Sequence, residues 1–292
     1  MPICFFVLSN LKNEMTIMKS FLFIILYNIL LTIFLGGLSA QKNLQSPAVP
    51  VKDYTVSSPP AGLNLDPFYT KYIDANGFPV ISSWRVPDSA LYRACHIIVS
   101  ITSMLPENVV KKMKGCGVRV AVMARYEGTT DIPEHRFLAN DTSINWDVRA
   151  RGLGGSVDAP LTTCAEENLL CYQIDKYHAE DILIHEFAHT IHLAGIIQVD
   201  STINARLQVA LEKALAAGKY VNTYAATNIE EYWAEGVQDW FNVNAEVPVP
   251  DGKHNHINTR LELKEYDPEL YAILAEYFPE TNECISCHES HK

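Results

Sequence analysis

Two histidines four residues apart, with a glutamate directly after the first, form the segment with the clearest chemical potential. His185, Glu186 and His189 make an H-E-x-x-H pattern inside an apolar stretch. If that stretch is helical, residues four apart share a face, so both imidazoles can reach one metal ion. Glu186 lies one residue further round, where it could accept a proton from water without being a ligand. The pattern predicts a zinc site with a general base, although the same pentapeptide also occurs in buried helices whose histidines are simply hydrogen-bonded.

A catalytic zinc site needs a third protein ligand and an open fourth position. Metzincins supply it from a histidine six residues after the second one, following a glycine, but here His192 stands at the glycine position and Gly195 at the histidine position. The metzincin pattern is therefore excluded. His192 would lie about one turn beyond His189 on a straight helix. We expect it to act in the second shell, to line the pocket or simply to pack.

A second acidic and aromatic segment offers the missing ligand. Asn228 can cap a helix that carries Glu231 and Glu235 four residues apart on one face. One carboxylate can bind zinc while the other accepts the free N–H of a ligating histidine and fixes its tautomer. Glu230 has Ala234 at the corresponding position, so it ranks below Glu231. The tyrosine and tryptophans around the pair indicate a largely buried helix rather than a solvated acidic face.

With Tyr224 seven residues before Glu231, this arrangement resembles the catalytic domain of anthrax lethal factor and the Pro-Pro endopeptidases, which are gluzincin-type zinc endopeptidases. The resemblance implies that His185, His189 and Glu231 bind one Zn²⁺. It implies that Glu186 is the general base and that Tyr224 donates a hydrogen bond to the oxyanion.

The resemblance rests on specific motifs over residues 175–245 and on general layout over residues 65–170. It implies hydrolysis of peptide bonds in a peptide or protein substrate, without indicating which one. The alternative from a different functional class is a secreted zinc-binding recognition domain that lacks catalysis. Bound zinc with cleavage of a peptide library would distinguish the enzyme from that binding module.

The elements that must position these residues predict an α+β fold. A helix is expected from Asp88, because apolar residues recur at helical spacing after it, and Val118–Met123 reads as a buried strand. A long loop is expected to follow that strand. We expect a small N-terminal lobe with a few strands and a helix, a mostly helical C-terminal lobe, and the zinc cleft between them. The helices expected in the second lobe are Ala179–Leu193, Ser201–Ala217, Asn228–Val243 and Pro268–Phe278.

The chain begins with a segment typical of export. Residues 1–40 have a lysine, an apolar run and small residues in the order of a secretory signal, although a retained membrane anchor stays open. Residues 41–67 read as a flexible leader, residues 68–280 as the metallopeptidase domain, and residues 281–292 as a tail containing Cys and His. After cleavage of the signal we expect a secreted, extracellular protein with no stable membrane association.

Six cysteines follow the signal, which in an exported chain suggests three disulfides with fifteen possible connectivities. Proximity in the sequence favours Cys164–Cys171 and Cys284–Cys287, which leaves Cys95–Cys116. The sequon at Asn140 is a candidate glycosylation site.

Composition limits the partners. Apolar residues make up 48% of the 292 residues, and 34 acidic side chains face 23 basic ones, for a formal net charge of −11. A phosphate backbone would be repelled by that balance, and no basic stripe offsets it. We therefore expect no nucleic-acid partner.

Overall fold

A five-stranded mixed sheet forms the centre of the computed structural model, which describes residues 54–283 and 285–288. The predicted signal segment and its anchor alternative, residues 1–40, lie outside the described residues, as does the leader up to residue 53. Within the rest of the leader, Ser57 pairs with Tyr72 in an isolated antiparallel bridge.

The strands are β1 Lys71–Ala75, β2 Phe78–Ser82, β3 Arg119–Met123, β4 Gly152–Leu153 and β5 Leu161–Ala165. Their order in the sheet is β1-β2-β3-β5-β4. Asn76 and Gly77, with φ of 55° and 91°, form the turn between the first two strands, which are antiparallel. Left-handed conformations at both positions are typical of tight hairpin turns, and Asn-Gly is the favoured pair. The central pairings β2–β3 and β3–β5 are parallel, and β4 pairs antiparallel with β5 at one edge.

Nine α-helices lie among the described residues. The helices are α1 Asp88–Met104, α2 Glu107–Gly115, α3 Trp146–Arg149, α4 Glu166–Leu169, α5 Ile182–Thr190, α6 Ile203–Ala216, α7 Ile229–Trp240, α8 Arg260–Tyr266 and α9 Pro268–Ala275. A π-helical turn, Ile191–Gly195, continues α5, and a short 3₁₀ turn, Tyr224–Ala226, precedes α7. No helix in the described ranges is both long enough and apolar enough to cross a bilayer.

The central strand divides the core into two parts. Val120 and Val122 of β3 pack into the large cluster that contains the buried residues of α1, α5 and α7. Ala121 and Met123 point to the opposite face and join a smaller cluster. This alternation follows from the two-residue period of a strand. Because both faces are covered, the strand reads as a continuous apolar run.

The α+β prediction is confirmed, with strands confined to the first half of the domain and helices dominating the second. The predicted strand at residues 118–123 and the helix from Asp88 are found. The long loop expected after β3 is wrong, because this stretch contains β4, β5 and the short helices α3 and α4. The sequence did not predict β5 because Thr162 and Thr163 interrupt its apolar pattern, although both side chains are buried in the parallel part of the sheet.

A disulfide joins Cys171 to Cys287, 116 residues later, and holds the tail against the domain. Ile285 and Ser286 beside it are buried. Cys171 adopts a left-handed conformation, with φ of 52°, two residues after the end of the short helix α4. That turn directs the residue away from the sheet and toward the tail.

The cysteine pairings expected from proximity are therefore wrong. The Cys164 side chain is buried in β5 as a thiol, and Cys116 is also a thiol, whose Sγ lies 3.8 Å from the carbonyl oxygen of Ala194. Proximity in the sequence gave the wrong partner because Cys164 packs into the core from β5, whereas Cys171, in the turn that follows, is bonded to the tail. The overturned pairings are Cys164–Cys171, Cys284–Cys287 and Cys95–Cys116. Cys284 itself lies outside the described residues.

Asn140 is exposed at the end of a 3₁₀ segment, Pro133–Asn140. Glycosylation there stays a prediction.

Candidate metal centre

Helix α5 positions the two histidines through a capped start and an apolar face. The Asp181 carboxylate accepts the backbone N–H of Ile184 at 2.9 Å and closes the first turn. Phe187 and Ala188 are fully buried in the large core cluster. His185 and His189 lie on the side of the helix that faces α7, where both contact Glu231.

Helix α7 supplies the acidic partner in a similar way. The Asn228 side chain accepts the N–H of Glu231 at 2.8 Å, which confirms the predicted cap. The indole N–H of Trp233 donates to the carbonyl oxygen of Ala188 at 2.9 Å. That bond crosses between the two helices and both of its ends are buried, so it fixes α7 against α5 close to the two histidines and Glu231.

Three donor atoms converge between these helices. Nε2 of His185 and Nε2 of His189 lie 3.2 Å apart, and they lie 3.2 Å and 3.3 Å from Oε2 of Glu231. Ligand atoms about 2.0–2.1 Å from a tetrahedral zinc ion are separated by roughly 3.3 Å. The two imidazoles and one carboxylate present here fit that geometry and donor chemistry.

The electrostatics of this cluster favour positive charge at the point of convergence. Burial opposes ionisation of Glu231, but hydrogen bonds from His185 and His189 outweigh it and hold the pKa of the carboxyl well below its usual range. Burial also disfavours the charged form of His185, yet Glu231, Glu186 and Glu235 together raise its pKa to about 10. Protons or a divalent cation can satisfy this demand for positive charge.

Glu186 and Tyr224 lie beside the cluster without being among its three donors. Burial raises the pKa of the Glu186 carboxyl, with the two histidines acting in the opposite direction. The ring of Tyr224 is stacked on that of His185, with centroids 6.3 Å apart. Burial, followed by the charge of Glu231, raises the pKa of the Tyr224 hydroxyl, so this group stays protonated at neutral pH.

The other ring nitrogen of His185 has a partner that the sequence did not indicate. Nδ1 lies 2.8 Å from Oε1 of Gln238 and 3.6 Å from Oε1 of Glu235, the residue expected there. Glu231, Glu235 and Gln238 are spaced i, i+4 and i+7 along α7, so they share one face. Gln238 could have been predicted by following the helix face of Glu231 and Glu235 for one more turn.

His192 lies in the π-helical turn after α5. Its Nε2 is 2.8 Å from Oδ1 of Asn204 in α6, and its ring packs against Trp233 with centroids 5.8 Å apart. These contacts fit the packing alternative among the roles predicted for it.

Two glycines, one on the edge strand β4 and one directly after it, allow this edge of the sheet to approach α5 closely. A Cβ added to Gly152 would lie 2.5 Å from Cγ2 of Ile182 and 2.9 Å from Cγ of Glu186. One added to Gly154 would lie 2.6 Å from Cβ of His189. The glycine-rich segment around residue 152 thus borders the candidate centre.

Comparison with protein-family models and with curated proteins finds no match. Among solved structures, a Pro-Pro endopeptidase from Paenibacillus alvei is similar with a TM-score of 0.46 and 16% sequence identity. The alignment covers 68% of this chain and 96% of that one. At this degree of similarity, the assignment of the centre depends on its own geometry.

Proposed function

We propose that this chain is a secreted zinc-dependent endopeptidase whose zinc ion is held by His185, His189 and Glu231. The observation that carries the proposal is the convergence of Nε2, Nε2 and Oε2 within 3.3 Å of one another between α5 and α7. Such a set leaves a fourth position open, which separates catalytic from structural zinc sites. The Cys171–Cys287 disulfide is compatible with an oxidising, extracellular location.

A zinc ion bound there would supply Lewis acidity, which lowers the pKa of water toward about 7 and polarises the scissile carbonyl. Glu186 would accept the proton from the attacking water and return it to the leaving amine. Its raised pKa suits both steps. The carboxylate is a stronger base when it accepts the proton, and a carboxyl pKa nearer to the working pH eases the return of that proton.

Tyr224 would stabilise the negative charge that develops on the carbonyl oxygen. Its hydroxyl keeps its proton because burial raises its pKa, and the ring is held by stacking on His185. Removal of one such donor typically lowers the rate by about 10²–10³-fold. We expect a loss of that size in the variant Tyr224→Phe.

The first experiment measures zinc content and cleavage of a mixed peptide library by mass spectrometry, before and after chelation. We expect one zinc per chain and cleavage that stops with chelator and returns with zinc. The variant Glu186→Gln should keep the metal but lose at least about 10²-fold in rate, since proton transfer by a positioned base contributes that much. Zinc bound without any cleavage would refute the peptidase and support the recognition domain.

Glu230 provides a matched control, because it precedes Glu231 in the first turn of α7. Glu230→Gln should retain zinc and cleavage, whereas Glu231→Gln should release the metal. The reverse result would show that the ligand assignment is wrong by one residue.

A further inference from the structure

We propose that Gln238 is the positioning residue that holds the imidazole of His185 with Nε2 directed at the metal. This inference rests on the proposed zinc centre and assigns a role within it. The sequence predicts that the carboxylate of Glu235 accepts the free N–H of a ligating histidine. The inference assigns that role to the neutral amide of Gln238 instead.

The contact between the two side chains is short and shielded from water. Oε1 of Gln238 lies 2.8 Å from Nδ1 of His185, and both residues are buried, with 0% and 7% of their surface exposed. A buried polar contact of this length must pair a donor with an acceptor, because two facing lone pairs would carry a large desolvation cost. One of the two atoms therefore donates.

The opposite end of the amide determines which atom donates. Nε2 of Gln238 lies 3.2 Å from the carbonyl oxygen of Asp181 and 3.4 Å from Oε2 of Glu180. Both of these atoms accept hydrogen bonds, so they require the NH₂ group on that side. The amide oxygen is then left facing His185, and Nδ1 must be the donor.

This arrangement selects one tautomer of the histidine. With a metal bound at Nε2, His185 keeps its single ring proton on Nδ1, and the lone pair of Nε2 faces the point where His189 and Glu231 converge. Partners of this kind fix ring orientation and tautomer in metal-binding histidines. The carbonyl oxygen of Asp181 also accepts the backbone N–H of His185 at 3.2 Å. Gln238 is thus anchored to the same turn of α5 that carries the ligand.

Glu235 is committed elsewhere. Its Oε1 is 3.6 Å from Nδ1 of His185, beyond hydrogen-bond distance, and its Oε2 accepts from the side-chain amide of Asn244 at 3.1 Å. A neutral amide at Nδ1 orients the ring without adding a further negative charge beside Glu231 and Glu186.

The test compares zinc affinity by competition with a chromophoric chelator in four proteins: wild type, Gln238→Met, Glu235→Gln and Gln208→Met. Methionine nearly matches glutamine in size but offers no comparable acceptor. Gln208 is exposed on α6, so its variant controls for the substitution itself. Loss of such an orienting partner typically costs 10–100-fold in metal affinity. We expect that loss in Gln238→Met, a smaller loss in Glu235→Gln because a negative charge near His185 is removed, and at most a threefold change in Gln208→Met.

Binding by Gln238→Met within threefold of wild type, or a loss confined to Glu235→Gln, would overturn the inference. If Gln238→Met does not fold, nitrogen NMR of zinc-loaded wild type decides, because we expect His185 to be protonated on Nδ1 and to bind through Nε2. Coordination through Nδ1 would refute the role of Gln238. If wild type binds no zinc, the proposed function itself fails, which is a different outcome from normal wild-type binding with an unaffected variant.

Discussion

Gly154, directly after the edge strand β4, allows the chain to lie directly on α5, and its replacement by alanine should disturb the candidate metal centre. The added Cβ would lie 2.6 Å from Cβ of His189 and 3.0 Å from the backbone oxygen of Glu186. Neither atom can rotate away, because one is the first side-chain atom and the other belongs to the helix backbone. The strand and the helix must therefore move apart.

The size of the effect follows from this clash. The backbone of Gly154 lies outside the left-handed region, so alanine meets no conformational penalty and the cost is steric. Overpacking of this kind typically destabilises by about 1–3 kcal/mol. If His189 shifts to relieve the clash, zinc binding must return it to its original position and restore the strain. A cost of about 1–3 kcal/mol on binding weakens the zinc affinity by about 5–150-fold.

Urea unfolding of the metal-free protein and zinc titration by chelator competition measure the two effects of Gly154→Ala. Gly115→Ala is the matched control, because no atom lies within 4 Å of its added Cβ and the residue ends α2. We expect the control to be neutral, or more stable by at most about 1 kcal/mol. A Gly154→Ala protein as stable as wild type, with unchanged zinc affinity, would refute the close approach of residue 154 to α5.

Two further predictions concern the supports of the centre. Cys287→Ser should lower the free energy of unfolding by about 2–5 kcal/mol, because the bond to Cys171 closes a loop spanning 116 residues. An unfolding temperature of wild type that is the same with and without a reductant would contradict this. Burial opposes ionisation of both His254 and Glu180, yet their ion pair raises the histidine pKa and lowers that of the glutamate. The pair therefore stabilises most between pH 4.5 and 6.5, the ordinary pKa values of the two groups. Above that window the contribution falls as pH rises through the folded pKa of His254, and below it as pH falls through the folded pKa of Glu180. His254→Gln should therefore lose most stability within the window in urea unfolding at several pH values, and a pH-independent difference would refute the ion pair.

The parts of the site that the sequence predicts depend on spacing along one helix. His185 and His189 share a face of α5, and Glu231 follows its cap by three residues, so local periodicity is enough to select them. What spacing cannot give is the pairing between α5 and α7. The resemblance to known zinc endopeptidases supplied that pairing, and the contacts of Glu231 with both histidines place the three side chains together in the structure.

The parts that the sequence misses depend on contacts between distant segments. β5 contains two polar residues, Thr162 and Thr163, in its middle. Both are buried because β3 and β4 flank the strand and other elements cover its faces, as shown by the hydrogen bond between the hydroxyls of Thr162 and Thr190 of α5. The disulfide partner of Cys171 depends on where the tail docks, and proximity in the chain carries no information about that. The fold class was predictable because it depends on the order of elements, whereas register and docking depend on tertiary contacts.

Helix starts are central to how this chain builds its candidate centre. His185 lies one turn after the Asp181 cap, and Glu231 lies three residues after the Asn228 cap, so the place of each candidate ligand follows from where its helix begins. Asp181 also accepts a hydrogen bond from Ser286 in the tail, while its carbonyl oxygen accepts from Gln238. The tail and α7 therefore both meet the first turn of α5. The first turn of α5 thus carries the cap, the contact with the tail and the contact with the Gln238 amide. We therefore expect the loss of any one of these contacts to shift the imidazole of His185.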